Sequence, residues 1–121
     1  MGQESGSSND ARLELRARTG DAAAQRELAE CYRHGCVGLS TDPVLACAWG
    51  IVLVASGHSQ VTPADSDHRR RDCESLTPAQ QATAAVQAKV LFESIYRREL
   101  LLPADFFGGN RRNNPAERGG D

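Results

Sequence analysis

Aromatic residues are scarce in this chain, at 5% of its 121 positions. A core built around large rings is therefore excluded. It must be assembled mainly from Ala, Leu and Val, which suits helices packed at short range better than a β-sandwich. β-Branched residues never alternate with polar ones over a strand-length run. No apolar stretch approaches the roughly 20 residues that a membrane-spanning helix requires; the run at 51–55 is far too short. Lysine is reduced to Lys89, and the preference for Arg, with abundant Ala and Gly, points to a GC-rich bacterial genome. The net charge is −2. It leaves no basic footprint for nucleic acid, so neither nucleic-acid binding nor membrane insertion is expected. Residues 1–9 are polar and carry no apolar h-region. The expected compartment is the bacterial cytoplasm, or the periplasm if a leader has been removed. Gly2 is not followed by the Ser or Thr at position 6 that N-myristoylation prefers, because Gly6 stands there.

What is present reads as one domain of helices. Apolar residues make up 40% and charged residues 25%, ordinary values for a globular chain. Residues 1–8 are Gly/Ser-rich and are expected to be disordered. Asn9 can cap a first helix over about 10–18, stopped by Thr19-Gly20. Asp21 then caps a second, whose Ala24, Leu28, Cys31 and Tyr32 fall on one face at i, i+4, i+7, i+8; Gly35 and Gly38 end it. Asp42-Pro43 opens a third, with Leu45, Ala48, Trp49, Val52 and Ala55 as its stripe and Gly57 as its stop. Thr62-Pro63 starts a short polar fourth helix that lacks almost any apolar face. Thr77-Pro78-Ala79-Gln80 is a capping box with Pro at the first helical position. It starts a fifth helix reaching about Glu99. The domain spans 9–102, and 103–121, rich in Gly, Asn, Arg and Pro, is expected to be a flexible tail.

The order Gly20-Asp21-Ala22, Ala24-Gln25, Leu28, Tyr32, Gly35, Asp42, Ala46, Trp49, Ala55 and Gly57 resembles one Sel1-like repeat, a relative of the tetratricopeptide repeat. The match covers 20–57, about a third of the chain. It departs at Ala29, where the family commonly has Gly, at Ser56, which replaces an Ala, and in a turn one residue longer than usual. The resemblance implies an all-α fold: a short αα-hairpin solenoid of about five helices, with a closing C-terminal helix and disordered ends. Gly20, Ala24, Leu28, Tyr32, Gly35, Ala46, Trp49 and Gly57 would be its structural repeat positions. The first helix looks like the second half of a truncated preceding repeat. A single hairpin cannot bury its apolar stripe, and repeat arrays need about three units, so the fifth helix is expected to supply cover.

Reactive side chains offer no convincing catalytic constellation. There is no glycine-rich phosphate loop and no nucleophile elbow; the chain is expected not to be an enzyme and to need no cofactor or metal. The four cysteines, Cys31, Cys36, Cys47 and Cys73, read as mostly reduced thiols in a chain without an export signal, with Cys36–Cys73 a candidate disulfide if it is exported. Cys31, His34 and Cys36 form a Cys-x-x-His-x-Cys cluster. It lacks a paired half-site and an assured fourth ligand, so small core and turn residues are the simpler reading. Arg69-Arg70-Arg71, diluted by Asp65, Asp67, Asp72 and Glu74, reads as a solvated helix face. Phe106-Phe107 in the tail would dock into a groove on this molecule, a second copy or a partner; alternatively, Leu101 and Phe106 would cap the base of the fifth helix.

The expected function, implied by the resemblance, is a non-enzymatic adaptor that holds a peptide or protein on its helical repeat surface. Arg26, Glu30 and Arg33, with Phe106 and Phe107, are the candidate contact residues. The alternatives are a redox- or metal-responsive module using Cys31, His34 and Cys36, and a small inhibitor or immunity-type protein with one tight partner. A short array with unsealed ends is also compatible with a homodimer.

Overall fold

Helices account for nearly all the regular structure of residues 11–107, which are the residues described by the computed structural model. α1 covers 11–18, α2 Ala22–His34, α3 Pro43–Ala55, α4 Pro63–Glu74 and α5 Pro78–Tyr96. Among the described residues there is no strand, only one isolated bridge, Cys36 to Leu39, inside the α2–α3 turn. The expected all-α class and five helices are observed. Residues 1–10 and 108–121, which include the N-terminus and most of the tail expected to be disordered, lie outside the described residues.

Each helix from α2 onward starts where a side-chain oxygen can satisfy an orphan backbone N–H. Asp21 accepts from the N–H of Ala24 at 3.1 Å, and Asp42 from that of Leu45 at 3.0 Å. Thr62 and Thr77 form full capping boxes with Asp65 and Gln80. α2 ends at Gly35, whose φ of 86° is strained for any residue with a Cβ. Gly20 and Gly57 take positive φ after α1 and α3 in the same way. α5 stops at Tyr96, short of the expected Glu99. Arg97 takes the left-handed conformation and donates to the Glu93 carbonyl. The chain then reverses, which allows Leu100 to bury against the core.

The helix directions follow from contacts at their ends. Asp42 N–H donates to the Tyr32 carbonyl at 2.8 Å where α2 meets α3. Just past the far end of α3, the Gln60 carbonyl accepts from Arg26 at 2.9 Å. α2 and α3 are therefore antiparallel. α4 runs parallel to α2, because Arg26 meets Asp65 and Arg33 meets Asp72, both at a separation of 39 residues. α5 brings its C-terminal end to α1 and α2: the fully buried Gln25 amide donates to the Ala17 carbonyl and to the Tyr96 hydroxyl, each at 3.0 Å.

α3 is the centre. It packs against α2, α4 and α5, and residues 46–53 are all buried. A helix apolar on every side must be enclosed. Its neighbours come close because they offer small residues: Ala24 on α2 and Ala84 and Ala88 on α5 are fully inaccessible to solvent. Leu28, Ala46 and Trp49 are buried, and Tyr32 packs against the same core half-exposed. Gly50 sets the distance to α4. A Cβ there would stand 3.1 Å from Arg69 Cγ and 3.3 Å from its Cα. Arg69 Cα belongs to the α4 backbone, which cannot swing aside as a side chain can.

The cysteines correct the expectation of reduced thiols. Cys47 and Cys73 pair across α3 and α4, with Cα atoms 4.8 Å apart, and Cys31 pairs with Cys36 over the end of α2, with Cα atoms 5.1 Å apart. Among the described residues no cysteine is free. The alternative Cys36–Cys73 bridge is not made. Cys73 sits on the buried side of α4 facing Cys47, whereas Cys36 belongs to the exposed turn beyond α2.

Two outcomes follow from this packing. In an open helix, Gly→Ala gains about 1 kcal/mol from propensity, but overpacking costs about 1–3 kcal/mol. Gly50→Ala is therefore expected to destabilise the chain in urea denaturation; a gain in stability would refute the close approach of α3 and α4. Oxidised protein unfolded in denaturant is expected to show no thiol titre. Loop-closure entropy for separations of 26 and 5 gives about 3.5 and 2 kcal/mol, so removing Cys47–Cys73 should lower the urea midpoint more than removing Cys31–Cys36.

Candidate partner-binding groove

Two parallel helices resting on a third leave a furrow between them, and here α2 and α4 form its walls over α3. The cavity holds about 160 Å³. Its floor is supplied by Ala29, Gly50 and Leu53. Its walls are the two Arg–Asp pairs. Asp65, 4% exposed, accepts from Arg26 Nε at 2.7 Å and from Nη2 at 2.8 Å, and also from the Thr62 N–H at 2.9 Å. Further along the same walls, Asp72 accepts from Arg33 Nε at 2.8 Å and from Nη2 at 2.7 Å. Both are fork-on-fork contacts, the geometry that guanidinium and carboxylate share. Glu30, His68 and Arg69 complete the lining.

These pairs explain how α4 is held without an apolar face. Its buried residues are Asp65 and Cys73 alone. One is anchored by Arg26 and the other by a disulfide. The Arg26 guanidinium holds the Asp65 carboxyl below the usual carboxylate range, against the opposing effect of burial. Asp65 in turn raises the pKa of Arg26. Arg33 is raised by its hydrogen bonds with Asp72, with Glu30 adding a smaller favourable charge.

Arg26 and Arg33, read from the sequence as exposed contact residues, are engaged first within the chain, where they hold α4 in register on α2. They still line the furrow, as does the exposed Glu30, so the structure brings these three together. Phe106 and Phe107 lie elsewhere, on the far side of Arg69. Both pack against the core half-exposed, edge to face with centroids 5.1 Å apart. Phe106 covers the Arg69 guanidinium at 4.6 Å from its ring centroid. The tail thus docks on its own molecule as far as residue 107.

The basic run differs from its expected solvated face at one member. Arg70 pairs with Asp67 at 3.1 Å on the surface and Arg71 is exposed, but Arg69 is half-buried between Gly50 and Phe106. Desolvation lowers its pKa, with neighbouring Arg70 adding to the effect. Sequence reasoning missed Arg69. The available signal was Gly50, an unexplained glycine in the middle of an otherwise strongly helical segment.

The Cys31–Cys36 bond takes both sulfurs of the Cys-x-x-His-x-Cys cluster out of a ligand set, leaving His34 exposed beside it. Among the described residues no group of three or more His, Cys, Asp or Glu side chains stands in metal-binding arrangement, and no helix is long and apolar enough to cross a membrane. Large apolar side chains stay uncovered at Val86 and Val90 on α5 and at Leu101.

The pH dependence follows from Asp65. Its folded pKa is depressed, so its stabilisation is complete above the unfolded value of about 4 and is lost as pH falls through the lower folded value. Stability measured by urea denaturation should decline on acidification from about pH 5. Arg26→Gln should lower stability at pH 7 by roughly 1–3 kcal/mol, since it strands a buried carboxylate, and should flatten the acid limb; an unchanged limb would show that the pair does not hold α4. Comparison with protein-family models, with curated proteins and with solved structures gives no match.

Proposed function

We propose that the chain is a non-enzymatic bacterial adaptor that holds a peptide or a protein segment in the furrow between α2 and α4. The observation that carries this reading is the repeated offset of 39 residues between Arg26 and Asp65 and between Arg33 and Asp72. Two helices in parallel register at such a spacing fit the consecutive first helices of a hairpin array, and arrays of this kind work through extended concave surfaces. The Sel1-like pattern at 20–57 supports the same assignment, since its Ala22, Ala24, Leu28, Ala46 and Trp49 are buried in α2 and α3, with Tyr32 and Ala55 packed against the same core. The furrow has an apolar floor and charged walls.

The pairing of all four cysteines favours an oxidising compartment, the periplasm or beyond, over the cytoplasm. In a reducing compartment neither bridge would persist. We take the partner to be met there.

Photo-crosslinking tests the reading. A photoreactive amino acid placed at Ala64 or His68, on the furrow, should give one discrete adduct in the native host, and none when placed at Ala79, which is exposed at the start of α5. Adducts from Ala79 alone, or substrate turnover lost on replacing a single polar side chain, would overturn the adaptor assignment.

A further inference from the structure

Beyond Arg97 the chain doubles back, and the segment from Leu100 to Phe106 returns to the C-terminal half of α3. Between the two lies a second hollow of about 190 Å³, which shares only Arg69 with the furrow. Ile51, Val54 and Ala55 line it from α3; Leu100, Leu102 and Phe106 line it from the returning segment. No residue of its lining is acidic.

Its one charged group is Arg69. The stem of that side chain passes against Gly50. Its guanidinium carbon stands 4.6 Å from the centroid of the Phe106 ring, and that ring itself lines the hollow. The cationic head therefore belongs to this hollow and not to the furrow. Arg26, Arg33, Arg70 and Lys89 each meet a carboxylate. Arg69 has none within ion-pair distance among the described residues, and Glu74 acts on it only through space. The face of the ring attracts the cation but supplies no oxygen to its N–H donors.

A half-desolvated cation whose donors lack an acceptor costs free energy unless an anion completes it. A pocket that is apolar apart from one polar group orients its ligand through that group, and a guanidinium fits the two oxygens of a carboxylate. The hollow has room for roughly six water molecules at the volume each takes in the liquid, which is the size of a short aliphatic chain. Residues 2–10 and 108–121 hold no Val, Ile, Leu or aromatic side chain, so those segments offer no apolar filler for it. We infer that the hollow is a binding site for a small monocarboxylate with a short aliphatic chain, its carboxylate paired with Arg69 and its chain lying against Ile51, Val54, Leu100 and Leu102. The site stands whatever occupies the furrow.

Isothermal titration calorimetry on the full oxidised chain at neutral pH tests this, with hexanoate, the uncharged hexanamide, acetate and N-acetyl-leucine as probes. Hexanoate should bind at least about tenfold more tightly than hexanamide, the margin expected of one charge-assisted contact, and more tightly than acetate, which lacks the chain. Arg69→Gln should bring hexanoate down to the level of hexanamide, and Arg69→Lys, which keeps the charge but not the fork, should retain part of the preference. Ala55→Phe, inside the hollow and outside the furrow, should block hexanoate with Arg69 intact. Unchanged far-UV circular dichroism checks that the variants fold, and the ratio of hexanoate to hexanamide on the unaltered chain stands without them. Equal affinity for those two, a preference that survives Arg69→Gln, or no hexanoate binding at millimolar concentration would overturn the site. Hexanoate binding undisturbed by Ala55→Phe would place it elsewhere and overturn the hollow. Acetate binding as tightly as hexanoate would remove the aliphatic chain from the assignment, and tighter binding of N-acetyl-leucine, which stands for a peptide C-terminus, would overturn the small molecule as its ligand.

Discussion

The enclosure of α3 governs the rest of the molecule. Eight consecutive residues of that helix, 46–53, are buried, so it needs neighbours on every side, and a hairpin partner can cover only one. α2 covers the first side through Ala24, Leu28 and Ala29, and α5 covers another through Ala84, Ala88 and Phe92. The remaining side falls to α4, which has almost nothing apolar to offer. Burial there is secured by other means: one disulfide, two bidentate ion pairs and a glycine that lets the α4 backbone come close. Removing any of these loosens the cover over the most apolar helix of the chain.

The same arrangement produces the furrow. Had α4 been amphipathic in the ordinary way, large side chains would reach down onto α3 and fill the space between α4 and α2. Instead the floor is Ala29, Gly50 and Leu53, and the contacts that hold α4 are long side chains spanning the top. Arginine suits this span. Its stem covers apolar surface while its planar head forms two bonds with a carboxylate. The ion pairs thus hold α4 in register on α2 and at the same time form the walls of the furrow.

Much of the architecture is legible in the sequence, and for local reasons. Asp21, Asp42, Thr62 and Thr77 announce helix starts because a short polar side chain before a helix has few other uses. Gly35 marks a stop because its φ is unfavourable for other residues. The stripe on the second helix is read correctly as the face that packs inward, whereas the third helix is buried on every side over 46–53 and not along one stripe. The end of α5 is misjudged because nothing in Tyr96-Arg97-Arg98 signals a reversal. Leu100, three residues after Arg97, is drawn into the core, and that is a tertiary effect. The contact residues are half legible: Arg26, Glu30 and Arg33 can be placed on one face of one helix, but the acidic partners of the two arginines lie 39 residues away, on a helix whose sequence is nearly featureless.

From its own order of residues the chain determined that it would be helical, where four of the helices begin, and that Trp49 and its small neighbours would be inside. These are matters of caps, periodicity and composition, which act over a few residues. The pairing of the cysteines, the register of α4 on α2, the burial of Arg69 and the shape of the furrow were decided only in three dimensions. Each depends on which surfaces meet once α3 has been enclosed, and polar helices such as α4 carry no periodic signal of the surface they will face.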